Sequence, residues 1–435
     1  MLMNALRETD PEIYDAIIRE VNRIEHGVEL IPSENFVSRA VMQAMSSVFT
    51  NKYSEGYPGK RYYGGQENVD DVELLAINRA KELFGAEHVN VQPYSGSPAN
   101  HAVYMALLEL GDKFMGMDLS CGGHLTHGSP VNFSGLHYKL VPYFVDKETE
   151  MLDMDVVRKI AETEKPKMII SSLTAYPRKL PFKEFCDIAK DVDAYSVADI
   201  SHIAGLIVGG VHESPCEYTD VTTTTTHKSL RGPRGAIIMS KIEDQYHDLY
   251  HKDTKKNLAQ LIDSAVFPGL QGGPHDHVIA AKAVAFKEAM KPEFKDYSKQ
   301  IVKNAKVMAD ELMSLGIKLV TNGTDNHLML IDLRPSGLGG KGKQLQNALD
   351  KAGITVNKNS VPYDDASPFN PSGLRLGTPA VTSRGMKESE MQHIAQSIAV
   401  VIKNYKDESK LKEIKAEISE LVSAYPIYPG LSVLG

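Results

Sequence analysis

Between residues 46 and 290 helical stretches alternate with short apolar strands, and no other feature restricts the possible folds as much. "DVELLAINRAKELFG", "ANHAVYMALLEL" and "FKEFCDIAKDV" read as helices, whereas "HVNVQP", "KMIISS" and "AYSVAD" read as strands. Strands separated by crossover helices make a mostly parallel sheet covered on both faces. Upstream, residues 1–45 form a helical arm that begins with the amphipathic "DPEIYDAIIREVNRIEHG", with Asp10 as the N-cap and Pro11 at the first helical position. Downstream, "HVIAAKAVAFKEAMKPEF" and "YSKQIVKNAKVMADELMSLG" are helical and lead into residues 291–435. There "KLVTNG", "LMLIDL" and "GITVNK" predict strands and "ESEMQHIAQSIAVVIKNY" a helix. The expected organisation is α/β: an N-terminal arm (1–45), a large domain (46–290) and a smaller α+β C-terminal domain (291–435).

Charge and cysteine usage narrow the partners. A net charge of −8 offers no general attraction to nucleic acid or to an anionic membrane, so any anionic ligand needs a local site. Cys121, Cys186 and Cys216 are widely spaced and unpaired in pattern, which predicts neither a disulfide framework nor a zinc knuckle and fits a reducing compartment. His275 and His277 in "PHDHV" lack an evident third ligand, so no metal is expected. The N-terminal stretch has no basic start followed by an apolar core, and no segment nears the roughly 18 apolar residues of a spanning helix. A cytoplasmic protein is expected.

Three local features point to chemistry. "TDVTTTTTHKSLRGPRGA" places five threonines before His227 and Lys228; such a polar run is often a linker, but threonine is β-branched, and here it is bounded by Asp220 and the apolar "AIIMS". Read as a strand, it sets Lys228 at a strand end, where open α/β sheets place ligands. "AYSVADISH" closes an apolar strand with Asp199, followed three residues later by His202; such an Asp by default caps the next turn. "QPYSGSPAN" ends a strand in Ser95, Gly96 and Ser97 just before a helix that starts near Pro98, a cradle for phosphate, although alone it reads as an ordinary serine-rich cap. In this order, phosphate cradle, acid and lysine meet the needs of pyridoxal phosphate: the acid keeps the pyridine nitrogen protonated and the lysine forms a Schiff base with the aldehyde.

The blocks "ELIPSENFVS", "TNKYSEGYPGKRYYGGQE", "VQPYSGSPAN", "GGHLTHGSPVNFSG", "TTTTHKSLRGPRG", "VFPGLQGGPH", "GTDNHLMLIDL", "ITVNKNSVP" and "SGLRLGTPA" closely resemble the serine hydroxymethyltransferase family, in its order and spacing along essentially the whole chain. The resemblance implies the aspartate aminotransferase-like fold of pyridoxal phosphate enzymes, with a seven-stranded, mostly parallel sheet in the large domain. It also implies a homodimer with shared active sites, alone or paired into a tetramer, and interconversion of serine plus tetrahydrofolate with glycine plus 5,10-methylenetetrahydrofolate.

Carried over residue by residue, the resemblance implies that Lys228 holds pyridoxal 5'-phosphate covalently, Asp199 pairs with the pyridine nitrogen and His202 with the phenolic oxygen. Ser95, Gly96 and Ser97 hold the phosphate together with Gly272 and Gly273 of a second subunit, and His124 stacks on the ring. Thr225 and His227 flank the lysine, Thr174 lies beside the cofactor, and Arg234 lines the site. Arg375 grips the amino acid carboxylate, which suits a guanidinium fork, and Ser33, with Glu34 and Asn35, belongs to a segment near the substrate. Glu55 transfers a proton near the substrate hydroxyl and, with Tyr63, is implied to reach across the dimer; Tyr53, from the same "NKYSEGYPG" stretch, is implied to bind substrate, and Asn359 lies near the folate. Departures from the commonest pattern are small: Thr174 stands where serine is frequent, Ser201 where alanine is common, and His101 where phenylalanine is frequent. Arg231 receives no role. Two other readings are weighed: an aldolase that shares the carbon–carbon cleavage but not folate use, and a non-catalytic relative, against which the retained Lys228, Asp199 and Ser97 argue.

Overall fold

The computed structural model describes residues 2–428. Its centre is a seven-stranded sheet whose spatial order is His88–Asn90, Ala236–Ser240, Val221–Thr225, Tyr195–Asp199, Met168–Ser172, Lys113–Met117 and Lys139–Tyr143. Ala236–Ser240 runs antiparallel to both of its neighbours, and the other pairs are parallel. The expected mostly parallel sheet is therefore observed. Four of the strands are buried at every residue, as strands covered on both faces must be.

The threonine run is one of those four. Val221–Thr225 lies between Tyr195–Asp199 and Ala236–Ser240, and its hydroxyls are absorbed internally: Thr223 Oγ1 donates to Asn100 Oδ1 at 2.7 Å, and Thr222 and Thr219 hydroxyls lie 2.7 Å apart. Buried hydroxyls with partners cost little, so a polar sequence can occupy a central strand.

Beyond the sheet, three antiparallel strands, Leu328–Asp332, Gly373–Gly377 and Asn357–Asn359, carry the C-terminal region. "KLVTNG" does not continue them as a strand. Only Leu319 bridges to Ile331, and Thr321 and Asn322 adopt left-handed backbone at φ +61° and +54°. Contacts from the other region override local β-propensity there: Arg178 donates to Thr321 Oγ1 (2.9 Å) and to its carbonyl (2.6 Å), while Glu150 Oε2 accepts from the Thr321 N–H (2.6 Å). The helix Gly96–Leu107 begins two residues before the expected Pro98.

Asp10 caps the helix Pro11–Glu25, its side chain accepting from Ile13 N, and Pro11 occupies the first turn. The segment that follows packs as core rather than hanging free. Val28–Glu29 pairs in parallel with Ile354–Thr355, and Val28 and Leu30 bury themselves among Leu345, Leu374 and Leu376 of the C-terminal core. The long helix Pro292–Ser314 joins the two cores, with Phe294 and Ile301 in one and Met308 and Leu312 in the other.

One buried charge fastens the sheet edge that leads to the Ser95 loop. Lys282, on the helix Asp276–Ala289, donates to the carbonyls of Val91 (2.6 Å), Pro93 (3.1 Å) and Ala236 (2.8 Å). Burial pushes its pKa down to about 7, with Glu73 opposing, while three acceptors match the three N–H groups of the ammonium form. Lys282→Ala removes a donor from three buried carbonyls, of which that of Pro93 keeps the Ala236 N–H at 3.3 Å, and chemical denaturation is expected to show a loss of about 3 kcal/mol. A loss below about 1 kcal/mol would mean that those carbonyls find other partners.

Candidate active site

Because Tyr195–Asp199 and Val221–Thr225 are parallel neighbours, their C-terminal ends lie at one edge of the sheet, with Asp199 opposite Thr223 in register. Chain direction therefore brings Asp199 and Lys228 to the same end. A cavity of about 280 Å³ opens there, lined by thirteen of the expected residues: Ser33, Ser95, Gly96, Ser97, His124, Thr174, Asp199, His202, Thr225, His227, Lys228, Arg234 and Arg375.

Lys228 is buried and starts a short turn, Lys228–Leu230, with its own backbone left-handed at φ +60°. Burial lowers its pKa to about 8; Asp199 opposes the shift, and the cations Arg375 and Arg234 add to it. The result is an amine that loses its proton far more readily than a free lysine, so its nucleophilic form is reached just above neutral pH.

Asp199 is held the opposite way. Burial by itself raises a carboxyl pKa, but here His127, His124 and the Asn100 amide outweigh it and keep Asp199 ionised far below the ordinary range. Its Oδ1 accepts from Ser201 Oγ (2.6 Å) and Ser201 N (3.0 Å), its Oδ2 accepts from Asn100 Nδ2 (2.9 Å), and His127 Nε2 stands at ion-pair distance, 3.3 Å. Ser201, a small-for-small change by sequence, is thus a direct donor to the carboxylate.

The loop Ser95 to Ser97 lies at a helix N-terminus. Ser95 is the extended N-cap of Gly96–Leu107, and its side chain forms no capping bond, so first-turn N–H groups remain open to an anion. A Cβ at position 96 would stand 2.8 Å from Thr225 Cγ2, so only glycine lets this loop approach the neighbouring strand end.

The cavity's imidazoles are neutral. Burial, aided by His127, lowers His124 to about 4, which suits a ring that stacks rather than one that pairs with an anion. Burial, aided by Lys228, lowers His227 to about 3. His202 is also pushed far down by burial and by Lys228, and its Nδ1 lies 3.2 Å from His327 Nε2, a contact available only when at most one of the two nitrogens carries a proton.

Arg375 occupies the central strand of the three-stranded sheet, opposite Leu330 and Asn357. Its guanidinium donates to two neutral acceptors, Asn357 Oδ1 (3.1 Å) and the Thr174 carbonyl (2.6 Å), and burial alone depresses its pKa to about 10. A second cavity of about 290 Å³ shares His124, Thr174 and Arg375 with the first and adds Asn359 and Lys358.

Five expected residues sit elsewhere. Tyr53, Glu55, Tyr63, Gly272 and Gly273 form one cluster outside this chain's cavity: Tyr53 and Tyr63 hydroxyls reach Glu55 at 3.3 and 3.4 Å, and their rings meet edge to face at 5.2 Å. A Cβ on Gly272 would lie 3.1 Å from Glu55 Oε1, and one on Gly273 3.0 Å from the Tyr53 ring. Both tyrosines are about half exposed (54% and 48%), unusual for paired aromatic rings in a finished site.

Sequence reasoning missed Asn100, His127, Ser201 and His327, which orient Asp199 and His202. His127 and His327 lay within the quoted blocks "GGHLTHGSPVNFSG" and "GTDNHLMLIDL", so the second histidine of the first block and the single histidine of the other were the available signal. His101 stacks on Phe133 at 4.2 Å, filling by ring contact the position where phenylalanine is frequent.

A neutral-prone lysine beside an enforced carboxylate and an open helix N-terminus, all at the C-terminal end of this sheet, defines a pyridoxal phosphate enzyme of the aspartate aminotransferase-like fold. The family model described as serine hydroxymethyltransferase matches residues 6–398, and the chain belongs to that family. It is a glycine hydroxymethyltransferase, a transferase of one-carbon metabolism that uses pyridoxal phosphate and tetrahydrofolate to interconvert serine and glycine.

The lowered pKa of Lys228 gives a rate prediction. In cofactor-free protein, covalent capture of pyridoxal phosphate should accelerate as pH rises, with a midpoint near the value of about 8 rather than that of a free lysine. Stopped-flow absorbance across the pH range measures it, and a midpoint above about 10 would contradict the proposed electrostatics.

Proposed function

We propose that the cavity around Lys228 is where this reaction takes place, and that a second copy of the chain completes it. The observation that carries the assignment is Arg375: 8% exposed, facing the same cavity as Lys228, with both of its acceptors neutral. A substrate carboxylate supplies the counter-charge that such a buried guanidinium lacks, through a bidentate fork.

When bound, pyridoxal phosphate supplies an aldehyde that condenses with amines and a ring that accepts the electrons of the bond broken at the amino acid's Cα. Lys228, which lines the cavity with Ser95, Gly96 and Ser97, would be its covalent tether, and those three residues would hold its phosphate with Gly272 and Gly273 from a second copy. Asp199 would accept the pyridine N–H, His202 would serve the phenolic oxygen, and neutral His124, with Thr174, would hold the ring; all four line the cavity. Thr225, His227 and Arg234 flank the lysine. Arg375 and Ser33 orient the amino acid, and Asn359, in the adjoining cavity, contacts the folate. Glu55 moves the proton of the substrate hydroxyl or of the folate adduct, positioned by Tyr53 and Tyr63.

The shared-site arrangement is supported by the exposed Tyr53–Glu55–Tyr63 cluster, which lies next to Gly272 and Gly273 and outside the cavity of its own chain. We assign the enzyme to the cytoplasm: Cys121, Cys186 and Cys216 are free thiols, and among the described residues no helix is long and apolar enough to cross a membrane.

Complementation tests the sharing. Lys228→Ala and Glu55→Gln proteins, each inactive alone, should recover up to about a quarter of wild-type activity after mixing and reassociation, because half of randomly formed dimers regain one intact site. No recovery, with exchange shown by mass, would confine Glu55 to its own chain. Arg375→Ala should lose about 10³ in kcat/KM for serine, a cost of roughly 4 kcal/mol, in an assay that requires tetrahydrofolate. Cleavage of serine at the same rate without folate would point to an aldolase instead.

A further inference from the structure

The peptide that carries Lys228 is held from behind by a group outside the cavity. Lys228 is left-handed at φ +60° and Arg231, three residues on, at φ +63°, conformations that cost a side-chain-bearing residue free energy unless the surroundings enforce them. The enforcing contact is Asn35, whose Nδ2 donates to the Lys228 carbonyl at 2.7 Å. The same nitrogen donates to Tyr297 Oη at 2.7 Å, and the amide oxygen accepts from Ser383 Oγ (2.6 Å) and Phe36 N (2.9 Å). All four hydrogen-bonding positions of the carboxamide are thus filled, and turning it over would set its NH₂ against the Phe36 N–H. Tyr297 in turn donates to the Pro379 carbonyl at 3.3 Å and lies beneath the Arg231 guanidinium, 4.7 Å from the ring centroid. On the far side, Ser229 Oγ donates to the His202 carbonyl at 2.9 Å, so the turn is gripped from both flanks.

We infer that Asn35 is a positioning residue for the reaction: it locks the strained Lys228 peptide to Tyr297 and Ser383, and so fixes where the lysine amine enters the cavity. The inference rests on the assignment of Lys228 as the cofactor lysine. It gives Arg231 a place, over the ring of Tyr297, and joins Lys228, Tyr297 and Ser383 at one carboxamide, that of Asn35.

The discriminating variant is Asn35→Asp, nearly the same shape but unable to donate to the Lys228 carbonyl; Asn35→Ser is the second. Tyr297→Phe is the control, since it disturbs the same node without touching that carbonyl. Cofactor-free proteins are mixed with pyridoxal phosphate and quenched with borohydride, and the adduct on the Lys228 peptide is timed by mass spectrometry. Amide hydrogen exchange is followed over residues 226–233. Asn35→Asp is expected to slow adduct formation roughly ten- to a hundredfold and to speed exchange in that segment, while Tyr297→Phe stays within about threefold of wild type at a comparable loss of Tm. Capture by Asn35→Asp at the wild-type rate, or slowing that tracks Tm across all three variants, overturns the inference. An adduct on a lysine other than Lys228 overturns the site assignment instead, so the two failures are distinct. If neither Asn35 variant folds, exchange in the wild-type protein decides: segment 226–233 should open together with the segments around Tyr297 and Ser383, and independent, faster opening of 226–233 overturns the inference.

Discussion

The constraint on which this structure depends is an unbalanced set of buried charges. Lys228 and Arg375 lie buried on one cavity, Arg234 lines its rim, and Asp199 is the one carboxylate among its lining residues. Burying cations without counter-charge is expensive, and the depressed pKa values of Lys228 and Arg375 express that expense. The imbalance also selects ligands. In the proposed site, a phosphate at the Gly96 helix terminus and a carboxylate at Arg375 would both relieve it, so one electrostatic cause would serve both anions.

Holding Asp199 ionised in that setting takes a network rather than a single partner. Ser201, Asn100 and His127 each contact the carboxylate, and Thr223 in turn accepts the task of orienting Asn100 through its own hydroxyl. This is where the threonine run acts on the chemistry. Its side chains satisfy one another and their neighbours inside a buried sheet, and one of them fixes the amide that fixes the acid.

What could be read from sequence was what is local in sequence. The strand that ends at Asp199, the strand before Lys228 and the loop Ser95 to Ser97 each carry their own signal of β-propensity or capping, so the sheet and its active edge were legible. Asn100 meets Asp199 across 99 residues and His202 meets His327 across 125, and no periodicity announces such pairs. The failure at "KLVTNG" has the same origin. Its apolar start predicts a strand, but the backbone of Thr321 is spent on Glu150 and Arg178, which belong to a distant stretch of chain. Arg231 was unassignable for a similar reason, because its partner ring, Tyr297, lies on a helix beyond the sheet.

Those same long-range contacts explain how the two cores act as one site. Arg375 belongs to the C-terminal sheet, yet its shortest hydrogen bond is to the Thr174 carbonyl, at the cofactor side. Arg178, four residues beyond Thr174, grips Thr321 and pairs with Asp325 at 2.8 Å, and Glu150 holds the same turn from another direction. Two left-handed residues, Thr321 and Asn322, are tolerated there because each contact needs the turn in that shape. On the proposed roles of Arg375 and Lys228, the strained turn outside the cavity ties together the two regions that carry them. A shift of that turn would move Arg375 relative to Lys228 without altering any residue that touches substrate, which makes the junction between the cores part of the catalytic geometry.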